Sequence, residues 1–228
     1  MDTERLADEV IRIDGPDGRH LARVRRLGPG EVVTVADGAG RWRAGIVEDV
    51  SGEVLLVRVA GPIEQEPDGA PRLAVAFAPT KGDQPERVVA ALTELGVDEI
   101  LPITTRHSVV RWAGERAAKQ GARLRRIARE AAAQSRRATL PVVVDPAPVA
   151  SLAGRSGIVV ADRDGDPIDA LAGPDRAWTV LVGPEGGLVA EDLVDLVPVA
   201  RLGVGPHVLR ADTAPIAVAA VLSTRRRS

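Results

Sequence analysis

The chain contains no cysteine and no tyrosine, and its 228 residues include only one phenylalanine and three tryptophans. Without cysteine, disulfides, thiol nucleophiles and thiolate metal sites are all excluded. Because aromatic residues make up only 2%, base-stacking platforms of the RRM or OB type are not expected. No stretch approaches the ~18 apolar residues of a membrane span, and MDTERLADEV at the start does not resemble a signal peptide. We therefore expect a cytoplasmic protein.

Lysine is also scarce, since 28 of the 30 basic residues are arginine and only Lys81 and Lys119 are lysine. Codon usage in an alanine- and arginine-rich genome explains this bias in part. Arginine is nevertheless the better residue for phosphates, because its planar fork binds two acceptors. The net charge of −2 does not by itself indicate a nucleic-acid partner.

The basic residues are concentrated in two segments of the chain. The first set lies near the N-terminus and consists of Arg19, His20, Arg23, Arg25 and Arg26. The second set follows Gly114–Arg137, where arginines three or four residues apart share stripes of a predicted helix. A solvated helix face interleaved with Glu115 and Glu130 is the simpler interpretation. Two basic patches on two domains favour an extended polyanionic ligand.

The hydrophobic pattern changes once along the chain and predicts two domains, residues 1–66 and 72–228. The first ~60 residues contain four β-like stretches separated by Asp-Gly, Gly-Pro and Ser-Gly turns, which predicts a small barrel with one inserted helix. Apolar periodicity lapses in the proline- and acid-rich Gly61–Pro71, where we place the boundary. Strands and helices then alternate, which is typical of an α/β domain with a mainly parallel sheet.

Within the second domain, three helices and several buried strands are predicted. Gln84–Gly96 and Gly114–Arg137 have helical spacing, and the C-terminal TAPIAVAAVLSTRRR begins after Asp212 or Thr213, either of which can cap it. Pro215 suits the first turn of that helix. VAEDLVDL predicts a further short helix, and RLAVAFA, VDEILPI, PVVVD, GIVVAD and AWTVLVG predict strands.

Several kinds of catalytic site lack support in the sequence. The three histidines, His20, His107 and His207, share no metal-ligand spacing, so a catalytic metal is not expected. No G-x-S-x-G motif is present, which argues against a serine hydrolase. Lys81, in APTKGDQ, follows a predicted strand and precedes a helix, where α/β proteins gather ligands, although a surface lysine is the simpler interpretation.

Glycine-rich loops near the C-terminus are the strongest indication of a binding site. LVGPEGGL follows a predicted strand, and RLGVGPHVLR precedes the last helix. Both lack the lysine and hydroxyl residue of a phosphate-binding P-loop. Glycines let backbone groups approach a ligand closely, and the flanking residues are apolar. An ordinary tight turn is the alternative, but the two loops together favour a flat, mostly uncharged heterocycle.

Four motifs, in order and spacing, resemble the 16S ribosomal RNA (uracil-N3)-methyltransferase family. They are TKGDQPERVVAALTELGVDEILPITTRHSVV, RIAREAAAQSRRATLP, VLVGPEGGL and LGVGPHVLRADTA, and the N-terminal HLARVRRLGPGE is similar to the opening basic segment of that family. The resemblance spans nearly the whole chain. It implies an N-terminal PUA-like RNA-binding β-barrel and a C-terminal SPOUT-type α/β domain. Near the C-terminus of a SPOUT domain the chain forms a trefoil knot.

The resemblance also implies a cofactor, partners and site residues. S-adenosylmethionine (SAM) is expected to bind in the knot of a homodimer, with 16S rRNA or the small ribosomal subunit as substrate. The implied cofactor-binding residues are Leu181, Gly183, Pro184, Glu185, Gly186, Gly187, Leu202, Gly203, Val208, Leu209 and Thr213. The implied RNA-binding residues are Arg19, His20, Arg23, Arg25, Arg26, Lys81, Arg106, Gln134 and Arg137.

Two departures from the family pattern affect these assignments. Asp212 stands where the family usually has glutamate, so its carboxylate is one methylene shorter. Ala133 and Arg136 replace a glutamate and a glycine, which leaves Gln134 and Arg137 as the better candidates for RNA contacts.

The implied reaction requires positioning of the SAM methyl group, loss of the uracil N3 proton and stabilisation of charge on the flanking oxygens. We assign the last role, or a phosphate contact, to Arg210, and consider Glu185 and Asp212 as proton acceptors. The target nucleotide must be splayed out of any stack. Alternatives are a ribose 2′-O-methyltransferase acting on rRNA or tRNA and a non-catalytic RNA-binding module.

Overall fold

A computed structural model describes residues 3–67, 71–171 and 177–226. The chain forms two compact units. The N-terminal unit contains Met1–Asp68 together with Arg136–Leu140, and the C-terminal unit contains Gly69–Ser135 and Pro141–Ser228. The division falls in the stretch where the sequence predicts a boundary, of which residues 68–70 lie outside the described part. The return of the chain to the N-terminal unit at position 136 is not visible in the sequence pattern.

The N-terminal unit is built on a four-stranded antiparallel sheet in the order β1-β4-β3-β2. Its elements are a 3₁₀ turn at Thr3–Ala7, β1 (Val10–Ile13), α1 (Gly15–Arg19), a π-helical turn at His20–Val24, β2 (Val32–Ala36), β3 (Arg41–Ser51) and β4 (Val54–Gln65). Residues of these strands and Leu6 of the 3₁₀ turn form a small core of Leu6, Ile11, Val35, Val47, Leu55 and Val57. Between the described residues of β1 and β2 no pairing occurs, so the sheet is open where the sequence predicts a barrel.

A short segment beyond residue 135 completes the N-terminal unit. The Glu66 carboxylate accepts hydrogen bonds from the backbone amides of Ala138 (2.6 Å) and Thr139 (2.9 Å) and from the Thr139 hydroxyl (2.5 Å). The amide of Leu140 donates to the carbonyl of Gly38 at 2.9 Å. One carboxylate therefore binds three donors of this segment, which explains why these residues belong to the N-terminal unit despite their distance in sequence.

The C-terminal unit contains a parallel sheet in the order β11-β9-β10-β5-β6-β7, with β8 also pairing with β6. Its strands are β5 (Leu73–Phe77), β6 (Glu99–Thr104), β7 (Val142–Val143), β8 (Ala147–Pro148), β9 (Ile158–Asp166), β10 (Trp178–Val182) and β11 (Pro198–Leu202). Its helices are α2 (Gln84–Glu94), α3 (Gly114–Ser135) and α4 (Thr213–Arg225). The predicted mixed α/β fold with a parallel sheet is confirmed.

The centre of this unit is formed by buried strands and by the helices that pack on them. Every residue of β5 and β10 is buried, as expected for a parallel sheet covered on both faces. Leu92 of α2, Leu124 of α3 and Leu222 of α4 are buried in the same core cluster. The predicted first turn of α4 contains Pro215 as expected, but Asp212, at the N-cap position, makes no side-chain cap hydrogen bond.

Three predicted helices are shorter in the structure, and one of them is α2, which ends at Glu94 instead of Gly96. α3 ends at Ser135, because Arg136 adopts a left-handed φ of 58° that a right-handed helix cannot continue. The segment VAEDLVDL forms only a 3₁₀ turn at Ala190–Asp192. Asp192 is buried there, and its carboxylate accepts a hydrogen bond from the backbone amide of Val189 at 3.2 Å. This bond joins the end of the turn to the residue before its start.

Candidate cofactor and active site

A cleft of about 470 Å³ opens where three neighbouring strands of the C-terminal unit end. The strands are β9, β10 and β11, and parallel strands gather ligands at their carboxyl ends. Its walls are formed by Val160–Arg163 of β9, by Val182 at the end of β10 with most of the loop that follows it as far as Leu193, and by nine residues between Arg201 and Val218. The whole cleft therefore lies within one compact unit.

The residues that line the cleft are mostly apolar. Aliphatic side chains and glycine or proline backbone dominate the lining, and the charged side chains among the lining residues are Asp162, Arg163, Glu185 and Arg201. The volume lies within the range of roughly 300–1,000 Å³ typical of small-molecule sites. Such a cleft suits a ligand with a flat apolar part and a few polar groups.

Glycines shape this cleft mainly through close backbone packing. A Cβ on Gly203 would lie 2.6 Å from the carbonyl oxygen of Gly165, and a Cβ on Gly165 would lie 2.7 Å from the carbonyl carbon of Leu202. β9 and β11 thus approach each other where only glycine fits. Gly187 has a φ of 73°, a left-handed conformation that favours glycine in the turn after β10.

An ion pair joins β9 to β11 on the cleft wall. Arg201 donates to Asp162 at 2.5 Å, and the Asp162 side chain is 29% exposed. The backbone amide of Asp164, and next the Arg201 guanidinium, hold the pKa of the Asp162 carboxyl below its usual value. Asp162 is therefore anionic at neutral pH and places a fixed negative charge beside the cleft.

The loop after β6 is tied to two of the loops that form the cleft. The backbone amide of Arg106 donates to the buried carboxylate of Asp192 at 2.9 Å. The Nδ1 atom of His107 lies 2.8 Å from the carbonyl oxygen of Gly186 in a hydrogen bond. These contacts join the loop after β6 to the glycine loop and to the turn that follows it. No such role for His107 or Asp192 was predicted from the sequence.

Most of the residues implied for cofactor binding lie around the cleft. Seven line it: Gly183, Pro184, Glu185, Gly187, Leu202, Val208 and Leu209. Leu181 is instead fully buried in β10, beneath the loop. Gly186 contacts His107, Gly203 packs on Gly165, and Thr213 is the exposed first residue of α4; none of the three is among the lining residues.

Of the three residues proposed for catalysis, only Glu185 lines the cleft. Arg210 is exposed between Leu209 and Ala211, which both line it, and the Arg210 carbonyl accepts the amides that begin α4. Asp212 is half-buried, and the Thr213 hydroxyl lies 3.4 Å from its carboxylate. Glu185 therefore has direct access to the cleft, whereas Arg210 and Asp212 are neighbours in sequence of residues that line it.

The basic residues predicted to bind RNA between Arg19 and Arg26 of the N-terminal unit are exposed, and two of them are paired. Arg19 and Arg23 both contact the Glu53 carboxylate at 3.0 Å. The remaining predicted residues are His20, Arg25 and Arg26, all exposed. Arg137, which also belongs to this unit, is half-buried.

Three residues predicted to bind RNA lie on three different segments of the C-terminal unit. Lys81 follows β5, and Arg106 lies in the loop after β6, where its carbonyl accepts a hydrogen bond from Arg111 at 2.7 Å. Gln134 is exposed near the end of α3.

The part of the cleft contributed by β9 was not predicted from the sequence. Val160, Ala161, Asp162 and Arg163 all line it, together with Arg201 of β11. These residues could have been predicted from the end of the predicted strand GIVVAD, because ligands of parallel sheets bind at the carboxyl ends of strands. Leu188, Val204 and His207 also line the cleft and lie within the two glycine-rich loops that the sequence predicts as a binding site. The other lining residues, which the prediction did not name, are Val182, Val189, Ala190, Leu193, Ala211, Ala214 and Val218.

Neither a metal centre nor a membrane segment is found in the described part of the chain. Its His, Asp and Glu residues form no group of three able to hold a metal ion. None of its helices has the length and the hydropathy that a membrane-spanning segment needs.

Comparisons with known proteins agree with the geometry of the cleft. Residues 68–223 match the family model described as an RNA methyltransferase domain, and residues 13–59 match an RNA methyltransferase PUA domain. A ribosomal RNA small subunit methyltransferase E from Mycobacterium bovis is 33% identical over 94% of this chain and 86% of its own length. One from Bacillus subtilis is 26% identical over 94% of this chain and 90% of its own length.

A solved structure resembles the chain over almost its full length. It is described as a candidate methyltransferase of Legionella pneumophila in complex with the bound cofactor SAM, and it superposes with a TM-score of 0.83 at 25% sequence identity. The match covers 94% of this chain and 91% of that protein. Together with the family model and the close relatives, this shows that the chain belongs to the RNA methyltransferase family that includes the ribosomal RNA small subunit methyltransferases E.

Proposed function

We propose that this protein is a SAM-dependent methyltransferase that methylates the N3 atom of a uridine in small-subunit (16S) ribosomal RNA. The observation that carries the proposal is the glycine-lined cleft at the carboxyl ends of β9, β10 and β11, in a chain that belongs to this family. Its relatives are named for small-subunit rRNA methylation, and the Legionella protein was solved with bound SAM. The N3 position comes from the resemblance of the motifs.

The residues of the cleft fit SAM. The segments 183–188 and 202–209 offer backbone groups and apolar walls for the uncharged adenine, and Asp162 and Arg201 offer opposite charges for the zwitterionic methionine part. No lysine lines the cleft, which agrees with a ligand that has no phosphate. SAM supplies an electrophilic methyl group on a sulfonium.

Methyl transfer to uracil N3 requires removal of the N3 proton, because the imide nitrogen has no lone pair free for attack. We assign the proton acceptor to Glu185, whose exposed side chain lines the cleft. In the reaction the N3–H bond would break and its proton would pass to the Glu185 carboxylate. The electron pair on N3 would form the new N–CH3 bond while the S–CH3 bond of the sulfonium breaks, so that the leaving group is neutral S-adenosylhomocysteine.

Arg210 and Asp212 are assigned supporting roles. Arg210 lies between two residues of the cleft wall and can stabilise negative charge on a uracil oxygen or hold the phosphate of the target nucleotide. Asp212, at the start of α4, is the second candidate for the proton acceptor. Arg210 follows the wall residue Leu209 and Asp212 follows the wall residue Ala211, so both are placed beside the cleft.

The proposal extends to the remaining parts of the protein. The N-terminal unit, whose residues 13–59 match a PUA domain, binds RNA through its exposed basic residues. The chain near the cleft forms the trefoil knot of a SPOUT domain, and the protein acts in the cytoplasm as a homodimer. These features rest on the resemblance to the family.

Mass spectrometry of small-subunit RNA from a strain lacking the protein tests the function directly. We expect loss of 3-methyluridine, which returns when the wild-type protein is supplied. Digestion of RNA methylated in vitro to nucleosides then separates a methylated base from a methylated ribose. A 2′-O-methylated product, or an unchanged level of 3-methyluridine, would contradict the proposal.

Calorimetric titration with SAM tests the enzymatic part separately. A SAM-dependent enzyme shows saturable binding to the purified protein. A non-catalytic RNA-binding module shows none, and that result would remove the cofactor from the proposal.

A further inference from the structure

A second, smaller pocket lies in the C-terminal unit, apart from the cofactor cleft. Its volume is about 200 Å³, and it shares no lining residue with the cleft. It is lined by Thr80, Lys81, Gly82, Pro85, Glu86, Val110, Trp112, Arg116, Gln120, Arg123 and Leu124. The walls come from the loop after β5, the first turn of α2, the segment before α3 and the N-terminal half of α3.

The pocket has an excess of positive charge. Among its basic lining residues, Arg123 forms an ion pair with Glu86 at 2.8 Å. The other two basic lining residues are Lys81 and Arg116. Both are exposed, and neither makes an ion pair with any residue in the described ranges. The N-terminal end of α2 adds a partial positive charge, because helix dipoles favour anions there. Gln120 offers amide donors on the same wall.

The pocket opens at the same sheet edge as the cofactor cleft. β5 and β10 are neighbours, and the amide of Ala78 donates to the carbonyl of Val182 at 3.3 Å. The loop to Lys81 and the glycine loop at Gly183 therefore leave adjacent strands, which lie about 4.8 Å apart. The pocket and the cofactor cleft therefore both include residues that follow neighbouring strands of one sheet.

We propose that this pocket binds a backbone phosphate of the RNA substrate close to the target nucleotide, with Lys81 and Arg116 as its ligands. The inference rests on the proposed function, because it takes the substrate to be RNA. A phosphodiester fits the observations, since it is anionic, small enough for the pocket and accepts hydrogen bonds from ammonium, guanidinium and amide groups. The fixed phosphate orients the strand and so determines which nucleotide enters the cleft.

The variants Arg116→Glu and Lys119→Glu test the proposal as a matched pair. Both positions are exposed on α3 and both changes reverse one charge, but only Arg116 lines the pocket. We expect Arg116→Glu to weaken binding of small-subunit RNA roughly tenfold or more and Lys119→Glu to change it less than about twofold. The slope of log K against log salt should become shallower by about 0.7–0.9 only for Arg116→Glu. Lys81→Glu should reproduce the effect of Arg116→Glu.

The controls separate this proposal from the function itself. SAM affinity and the melting temperature should stay at wild-type values in all three variants, because the pocket shares no residue with the cofactor cleft. Equal RNA affinities for Arg116→Glu and Lys119→Glu would overturn the phosphate site while leaving the methyltransferase function intact. Weaker binding with an unchanged salt slope would also overturn it, since a base rather than a phosphate would then occupy the pocket. A wild-type protein that does not methylate RNA would overturn the proposed function.

Discussion

Replacing Gly203 by alanine tests the close approach of β9 and β11 that forms one wall of the cofactor cleft. The new Cβ would lie 2.6 Å from the carbonyl oxygen of Gly165, whereas ordinary contact begins at 3.4 Å. The two strands must therefore separate by about 0.8 Å, because backbone atoms cannot rotate away as a side chain can. The hydrogen bond from the Gly203 amide to the Asp166 carbonyl, 2.9 Å long, resists that separation.

We expect Gly203→Ala to lower the free energy of unfolding by about 1–3 kcal/mol, as overpacking of a close contact does. Each kcal/mol corresponds to a fall of about 2–4 °C in the melting temperature for a chain of this length. SAM affinity should fall roughly tenfold or more, since Leu202 and Val204 on either side of Gly203 line the cleft. Thermal unfolding and calorimetric titration measure the two effects.

Gly28→Ala provides the control for this substitution. A Cβ added to Gly28 would meet no heavy atom within 4 Å, and the residue has no left-handed φ. Alanine should therefore change stability there by less than about 0.5 kcal/mol. A Gly203→Ala protein with the melting temperature and the SAM affinity of the wild type would refute the packing argument. It would also leave the glycine at position 203 without a structural explanation.

Three further substitutions test other parts of the structure. Glu185→Gln should lower kcat for methyl transfer by roughly 10²–10⁴-fold with SAM affinity little changed, and a wild-type kcat would exclude Glu185 as the base. Glu66→Ala should reduce thermal stability by about 1–3 kcal/mol, because three donors of the segment 138–139 lose their acceptor. Asp162→Asn should destabilise the protein at pH 7. Since folding lowers the pKa of Asp162, its contribution is complete above the unfolded pKa of about 3.9 and is lost as the pH falls through the folded value. Denaturation curves of mutant and wild type should therefore converge below about pH 4.

The core of the C-terminal unit was predictable from local sequence alone. The apolar run of β10 predicts a buried strand, and the helical spacing of Val88, Val89 and Leu92 predicts helix α2. Helix α3 was predicted within two residues of its end, and the difference lies in the left-handed φ of Arg136, which no local propensity predicts.

The candidate site was predictable where it depends on short motifs. The glycine loops at 183–188 and 202–209 supply seven of the lining residues that were predicted. The opposing wall could not be predicted in the same way. Asp162 meets Arg201 only because β9 and β11 pair across 39 positions of sequence, and the small pocket exists only because α2 and α3 pack together.

The amino-acid sequence by itself determined the alternation of strands and helices, the two-part organisation of its pattern and the resemblance to RNA methyltransferases. These properties follow from residue order, since periodicity and turn chemistry act over a few neighbouring residues. Tertiary structure alone decided that Gly203 must be glycine, that His107 contacts the glycine loop, and that Lys81 and Arg116 share a pocket. Each of these depends on contacts between segments far apart in sequence, which arise only when the sheet and its helices are packed.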